Sequence, residues 1–293
     1  MKKYQNLISK VVSKLVNSTH NQTEISSEIS SNKKISPDST EIDPVEEIKN
    51  WISSNVKGKT FADVGGIGVN SINERITLAS KYGATSVTMI DIRPSDYYEW
   101  DIFHKRCKET GVHDYQCIDC ADINNPKLLE KVGFYDFVHC TGIVYHLPNP
   151  VWGIENLSKI VKEYLIINTV IIPSRIKTEC GSLEFYGSTV LFMPGLNSNE
   201  RKILNSYYMK KFNININHMA PMLEAEKPDC PWFEDGKTTC WPYWWLFTEK
   251  SFIALVKMMG FEILDTALWE NHALTLLAKK KSNKNGGKLH LDE

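Results

Sequence analysis

From residue 43 onward the chain alternates between short runs of β-branched and aromatic residues and longer stretches whose apolar residues recur every three or four positions. Residues 60–64, 86–91, 115–119, 135–140 and 164–172 read as strands, and 69–82, 95–109, 125–132 and 150–161 as the helices between them. That alternation predicts an α/β fold with a parallel sheet covered on both faces. Ahead of it, Asp43-Pro44-Val45-Glu46 has an N-cap residue, a proline at the first helical position and an acid three residues after the cap, which signals a helix start. Val45, Ile48 and Ile52 are expected to form its buried face. Residues 174–247 carry scattered aromatics, prolines and glycines without a steady period. A helix from Thr248 to Gly260 follows, carried by Phe252, Leu255, Val256 and Met259, and then two strands at 261–268 and 273–278.

The ends differ from this body. Leu7, Val11 and Leu15, with Ile8, Val12 and Val16, recur at helical spacing while Lys3, Lys10 and Lys14 lie off the stripe. Such an amphipathic helix can dock on its own domain or lie on a membrane surface. Residues 17–40 are rich in Ser, Asn and Thr and read as a linker. The expected organisation is therefore a leader over 1–42, a catalytic-type domain over 43–280 and a flexible basic tail over 281–293. A formal net charge of −1 hides the same division: residues 1–40 and 279–293 each carry +3, leaving −7 for the rest. This balance gives no global reason to expect nucleic acid. No apolar run approaches the ~18–20 residues of a membrane span. The opening Met1-Lys2-Lys3-Tyr4 leads into apolar residues broken by Lys10 and Lys14, a poor export signal, so a cytoplasmic protein with its seven cysteines reduced is expected. Cys117 and Cys120, three apart on a strand, would point to opposite faces, and His218, Cys230 and Cys240 match no ligand spacing. No metal is expected.

The segment Phe61-Ala62-Asp63-Val64-Gly65-Gly66-Ile67-Gly68 runs a strand into a glycine turn that opens a helix, the general geometry of nucleotide sites in doubly wound sheets. Gly66-x-Gly68 is followed by Ser71 where a dinucleotide fingerprint has its third glycine. Asp63, two residues before the first glycine, would repel a pyrophosphate and attract a cation. S-adenosylmethionine carries an ammonium and a sulfonium and no phosphate, so the acid suits it better than NAD. Asp91, at the end of the second strand, can accept both ribose hydroxyls. Asp122, just past the third strand, is placed for the adenine amino group. Any one of these acids alone reads equally well as a loop cap.

With these motifs the chain resembles the class I S-adenosylmethionine-dependent methyltransferases over about residues 44–280. Asp63-Val64-Gly65-Gly66-Ile67-Gly68 stands for the first family motif, Met89-Ile90-Asp91-Ile92 for the second, and Cys120-Ala121-Asp122-Ile123 for the adenine loop. The resemblance implies a Rossmann-like, doubly wound seven-stranded sheet with an antiparallel last strand pair and a large insertion after strand 5. The stretch 135–150, with Gly142-Ile143-Val144-Tyr145-His146 and Pro148, is similar to a subgroup that includes the bacterial tRNA wobble-uridine carboxymethyltransferase, and Trp244-Trp245 fits that subgroup's aromatic pair. By this resemblance Asp63, Gly65, Gly66, Gly68, Asp91, Ile92, Asp122, Ile123, Cys140, Thr141 and Gly142 would hold S-adenosyl-L-methionine, and Tyr145 would face the transferable group. The carboxymethyltransferase has a lysine upstream of its first strand where this chain has Val45, in an acidic run, so ordinary methyl transfer is expected.

Methyl transfer is an in-line displacement in which alignment does most of the work, and a hydroxyl nucleophile benefits from a base. His146, after the fourth strand, is the first base candidate; a helix-entry histidine bonded to a carbonyl is the other reading. Tyr145 is a cofactor-facing phenol or a core aromatic, and His139, inside the strand, reads as core. The insertion 174–247 is expected to cap the substrate site, with Trp241, Tyr243, Trp244 and Trp245 as substrate candidates, or to use its aromatics for its own small core. The expected substrate is a small or medium-sized molecule methylated on O or N. The alternatives are an RNA-modifying enzyme, with the basic ends contacting phosphates, and an interaction module on a methyltransferase fold that has lost catalysis.

Overall fold

The computed structural model describes residues 43–71, 73–216, 243–269 and 272–281, all within one compact unit. Helix α1 (Pro44–Asn55) starts as its sequence signals, with the Asp43 carboxylate accepting from the Val45 amide at 2.9 Å. Its buried face is Ile48, Trp51 and Ile52; the Trp51 indole donates to Asp265, and first-turn Val45 is left 43 % exposed. Val45 thus does not join the core as expected, and Trp51 packs there with Ile48 and Ile52 instead.

Strand β1 (Thr60–Val64) leads into the glycine turn, followed by α2 (Gly68–Ser71) and α3 (Ile76–Lys81). The single helix expected over 69–82 is broken because Ser71 takes a left-handed φ of 59° and the Arg75 amide is turned to the Asp63 carboxylate at 2.6 Å. Next come β2 (Ser86–Ile90), α4 (Tyr98–Glu109), β3 (Gln116–Ile118), α5 (Leu128–Val132), β4 (Tyr135–Cys140), a 3₁₀ turn over Val144–His146, α6 (Pro150–Ile160) and β5 (Val161–Val170). The stretch without a period holds a hairpin of β6 (Arg175–Thr178) and β7 (Gly181–Glu184), then β8 (Val190–Phe192), α7 (Ser198–Phe212) and β9 (Trp245–Phe247). The chain ends its core with α8 (Glu249–Met258), β10 (Phe261–Trp269) and β11 (Ala273–Lys280).

Seven strands form one sheet in the order β10-β11-β5-β4-β1-β2-β3. The pairs β1–β2, β1–β4, β4–β5 and β2–β3 are parallel, and β11 runs antiparallel to both β5 and β10. The expected Rossmann-like sheet with an antiparallel last pair is present. Alternate residues divide between two cores. Ala62, Val64, Val138, Cys140, Leu165 and Ile167 pack with α6 and α8 on one face, and Phe61, Met89, Phe137 and Ile166 pack with α1, α3 and α4 on the other. A third cluster, including Ile203, Tyr207, Tyr208, Tyr243 and Leu246, belongs to the segment after β5. Among the described residues no helix is long and apolar enough to cross a membrane.

Candidate functional site

The chain leaves β1 toward β2 and β3 on one side and returns through β4 and β5 on the other, so the carboxyl ends of β1 and β4 border a crevice at the switch in strand order. A cleft of about 280 Å³ opens there. It is lined by Gly65 and Gly68 after β1, Asp91, Ile92 and Arg93 after β2, Asp122, Ile123 and Asn124 after β3, and Thr141, Gly142 and His146 after β4.

The turn after β1 needs its glycines for two different reasons. Gly65 has a φ of 79°, and a Cβ there would lie 2.1 Å from Ile143 Cδ1. A Cβ on Gly66 would lie 2.6 Å from Asp63 Oδ2 and 2.9 Å from Oδ1, so Gly66 makes room for a carboxylate rather than for a ligand. Gly66 does not line the cleft, and neither do Asp63 and Cys140, both fully buried. Asp63 accepts from the Arg75 amide through Oδ2 and contacts His139 Nδ1 at 2.9 Å through Oδ1. Burial, reinforced by this carboxylate, pushes the Cys140 thiol up. Burial also raises the Glu74 carboxyl, with Asp63 adding to the shift.

Asp91 is almost fully buried. Its Oδ1 accepts the Arg93 amide at 2.9 Å and lies 3.5 Å from the Arg93 guanidinium, which also pairs with Glu99 at 3.0 Å. Its Oδ2 has no hydrogen-bond partner among the described residues. Burial outweighs the Arg93 attraction and lifts this carboxyl from 3.8 to about 6. In the next loop Asp122 caps the Asn124 amide at 2.8 Å, and buried Asn156 ties the loop to α6 through the carbonyls of Ile123 and Asn125. The Asn124 side-chain oxygen is a second buried acceptor without a partner among the described residues.

After β4, the Gly142 amide donates to Asn168 Oδ1 at 2.6 Å, which locks the loop to β5. His146 lines the cleft and packs against Tyr145 and Tyr243, with ring centroids 4.2 and 5.4 Å away. Tyr145 does not line the cleft; it meets Tyr243 edge-on at 4.7 Å and packs against the third core cluster. Burial raises both phenols, Tyr243 to about 12, so both stay neutral near pH 7. Of the substrate candidates, Trp241 lies outside the described residues, as do His218, Cys230 and Cys240. Tyr243 is buried, the Trp244 amide donates to the Tyr145 carbonyl at 2.9 Å, and the Trp245 indole donates to the Pro148 carbonyl at 3.2 Å. These three brace the loop that carries His146.

The structure adds Asn73, Arg93, Asn124 and Trp152 to the cleft lining. Trp152 was legible in hindsight, since Asn149-Pro150 caps α6 and puts it in the first turn beside the cleft. Asn73 carries no local signal, because a loop between two short helices delivers it. A larger open hollow of about 920 Å³ along α7 is lined by none of the residues singled out from sequence. Among the described residues no group of three or more His, Cys, Asp or Glu is arranged to hold a metal ion.

No protein-family model matches the chain, and no curated protein matches it. Solved structures with a similar arrangement include magnesium protoporphyrin IX methyltransferase from Synechocystis PCC 6803 with bound SAH, at 17 % identity over 81 % of this chain and 82 % of that one, with a TM-score of 0.46. A putative methyltransferase from Bacillus halodurans aligns at 9 % identity over 80 % of this chain and 98 % of that one, with a TM-score of 0.47. A SAM-dependent methyltransferase from Aquifex aeolicus aligns at 13 % identity over 82 % and 90 %, with a TM-score of 0.43. At such identities and scores, what the site can do rests on this chain's own residues.

Proposed function

We propose that the protein is an S-adenosylmethionine-dependent methyltransferase acting on an oxygen or nitrogen of a small or medium-sized molecule. The observation that carries this reading is Asp91: a buried carboxylate on the cleft, at the end of β2, with one oxygen that has no donor among the described residues. A buried acceptor of this kind is costly until a ligand supplies hydrogen-bond donors, and a ribose supplies two hydroxyls. Asn124 and Asp122, one loop away, offer acceptors for an adenine amino group. Val64, Ile123 and Leu147 give the apolar lining a flat base needs.

A dinucleotide fits less well. Helix α2 has only four residues, too few to aim a helix dipole at a pyrophosphate.

S-adenosylmethionine, when bound, supplies a methyl group activated by a positively charged sulfur. The remaining work falls to the chain. Gly65 and Gly68 let backbone come close to the ligand, and Asn168 holds the Gly142 loop in place. His146, on the cleft and braced by two neutral phenols, is the group able to take a proton from an acceptor hydroxyl. Tyr145 serves as its packing partner and not as a base, since burial keeps its phenol protonated. The finer likeness to the tRNA-modifying subgroup rests on Gly142–His146 and Trp244-Trp245. Here Gly142–His146 form the loop after β4 and Trp244-Trp245 brace it, and the net charge of −7 between the basic ends is unfavourable for a phosphate backbone, so a small acceptor is the preferred reading.

Titration calorimetry with the full chain tests the proposal. S-adenosylmethionine and S-adenosylhomocysteine should bind while NAD and NADP should not. Absence of binding by both sulfur nucleosides would refute it.

A further inference from the structure

Two buried polar side chains sit where the sheet should be apolar. Asp63 and His139 are direct neighbours in the parallel β1–β4 register, and neither exposes any surface. Strand alternation puts Thr141, two residues beyond His139, on the same side. The contacts follow that geometry: Asp63 Oδ1 to His139 Nδ1 at 2.9 Å, and His139 Nε2 to Thr141 Oγ1 at 3.3 Å. Thr141 is the one member of the three that lines the cleft.

The Asp63 carboxylate accepts from the Arg75 amide through its other oxygen, so a donor at Oδ1 completes it, and His139 supplies one in its Nδ1–H tautomer. In that tautomer Nε2 is the acceptor for the Thr141 hydroxyl. With its hydrogen turned inward, Thr141 shows only lone pairs to the cleft. A cation or a hydrogen-bond donor is favoured there, and an anion is not.

We propose that Asp63, His139 and Thr141 form a buried relay that fixes the Thr141 hydroxyl as an acceptor for the positively charged methionine end of the cofactor, with His139 as a positioning residue. This deepens the methyltransferase reading and rests on it. It also gives Asp63 a part in cation selection although its own carboxylate is walled off from the cleft. Gly66, whose lack of a side chain leaves space for that carboxylate, belongs to the same device.

The test is a binding cycle on the full chain, read by calorimetry with S-adenosylmethionine and S-adenosylhomocysteine and requiring no turnover. Thr141→Val keeps the shape and removes the acceptor, and should weaken binding about tenfold or more, the size of a hydrogen bond to a charged group. Thr141→Ser should restore it. Equal weakening for both ligands places the ammonium at Thr141, and greater weakening for the sulfonium compound places the sulfur there; either result supports the proposal. His139→Gln should weaken binding in the wild-type background and have no further effect in Thr141→Val, because it acts through that hydroxyl. Unchanged affinity in Thr141→Val, or additive losses in the double variant, would overturn the relay. Should His139→Gln fail to fold, the Val and Ser variants at Thr141 still decide the point. Failure of the unaltered protein to bind either ligand is a different result, and refutes the methyltransferase reading itself.

Discussion

Asp91→Asn should make the ligand-free protein more stable and the cofactor complex weaker. The carboxyl titrates at about 6 in the fold against an ordinary 3.8, a gap worth about 3 kcal/mol. The sign follows from proton linkage. A folded-state value above the unfolded one means that the native state holds its proton more tightly, so stability falls as pH rises from near 3.8 through about 6 and then levels off. Asparagine mimics the protonated acid: it keeps an acceptor for the Arg93 amide and carries no charge to desolvate. At pH 7.5 the variant should gain up to about 3 kcal/mol, several degrees in melting temperature for a domain of this size. Thermal unfolding of both proteins between pH 4.5 and 8 checks this, and the gap should widen with pH. Saturating S-adenosylmethionine should then reverse the order, since a ligand at about 1,000 times its Kd adds about 4.1 kcal/mol to the protein that binds it, more than the variant's advantage. A variant less stable than the parent at neutral pH, with a difference that ignores pH, would refute the burial argument.

Two further outcomes test the site. His146→Gln should lower kcat about 10²–10⁴-fold for a hydroxyl acceptor with little change in KM, while Tyr145→Phe should stay within a few-fold because a neutral phenol whose pKa is raised is not the base. A large loss in Tyr145→Phe with His146→Gln spared, measured with labelled methyl donor, would reverse their roles. Gly66→Ala forces a methyl group within 2.9 Å of three Asp63 carboxyl atoms. It should cost about 1–3 kcal/mol by denaturant unfolding and weaken S-adenosylmethionine binding by displacing Asp63 from His139.

The segment after β5 shows why some elements are harder to read than others. Helix α7 has a full capping box, with Asn197 and Glu200 bonding to each other's backbone, so its start is written in the sequence. Its interior is harder to read, since buried Arg201, Ile203, Leu204, Tyr207 and Tyr208 mix polar and apolar groups and blur the stripe. Strands β8 and β9 have three residues each and pair with one another, with Phe247 also bridging to Ile171, contacts between residues more than fifty apart that no local pattern records.

Periodicity and turn chemistry were enough for the sheet's parallel half, the antiparallel last pair and the Asp63–Gly68 turn, because those elements are specified by nearest neighbours along the chain. They also sufficed to bring Asp91, Asp122, Thr141 and His146 to one end of the sheet, since each follows the carboxyl end of a strand. Tertiary structure decided the rest. Asp63 looked like a ligand-facing acid and His139 like core, and the β1–β4 register made them one hydrogen-bonded pair behind the cleft. Tyr243, Trp244 and Trp245 looked like a substrate wall, and the docking of their segment made them the brace of the His146 loop. The physical reason is common to both. A residue's chain neighbours determine which element it joins, but its function depends on which side chains stand across from it, and that is set by how strands pair and loops dock.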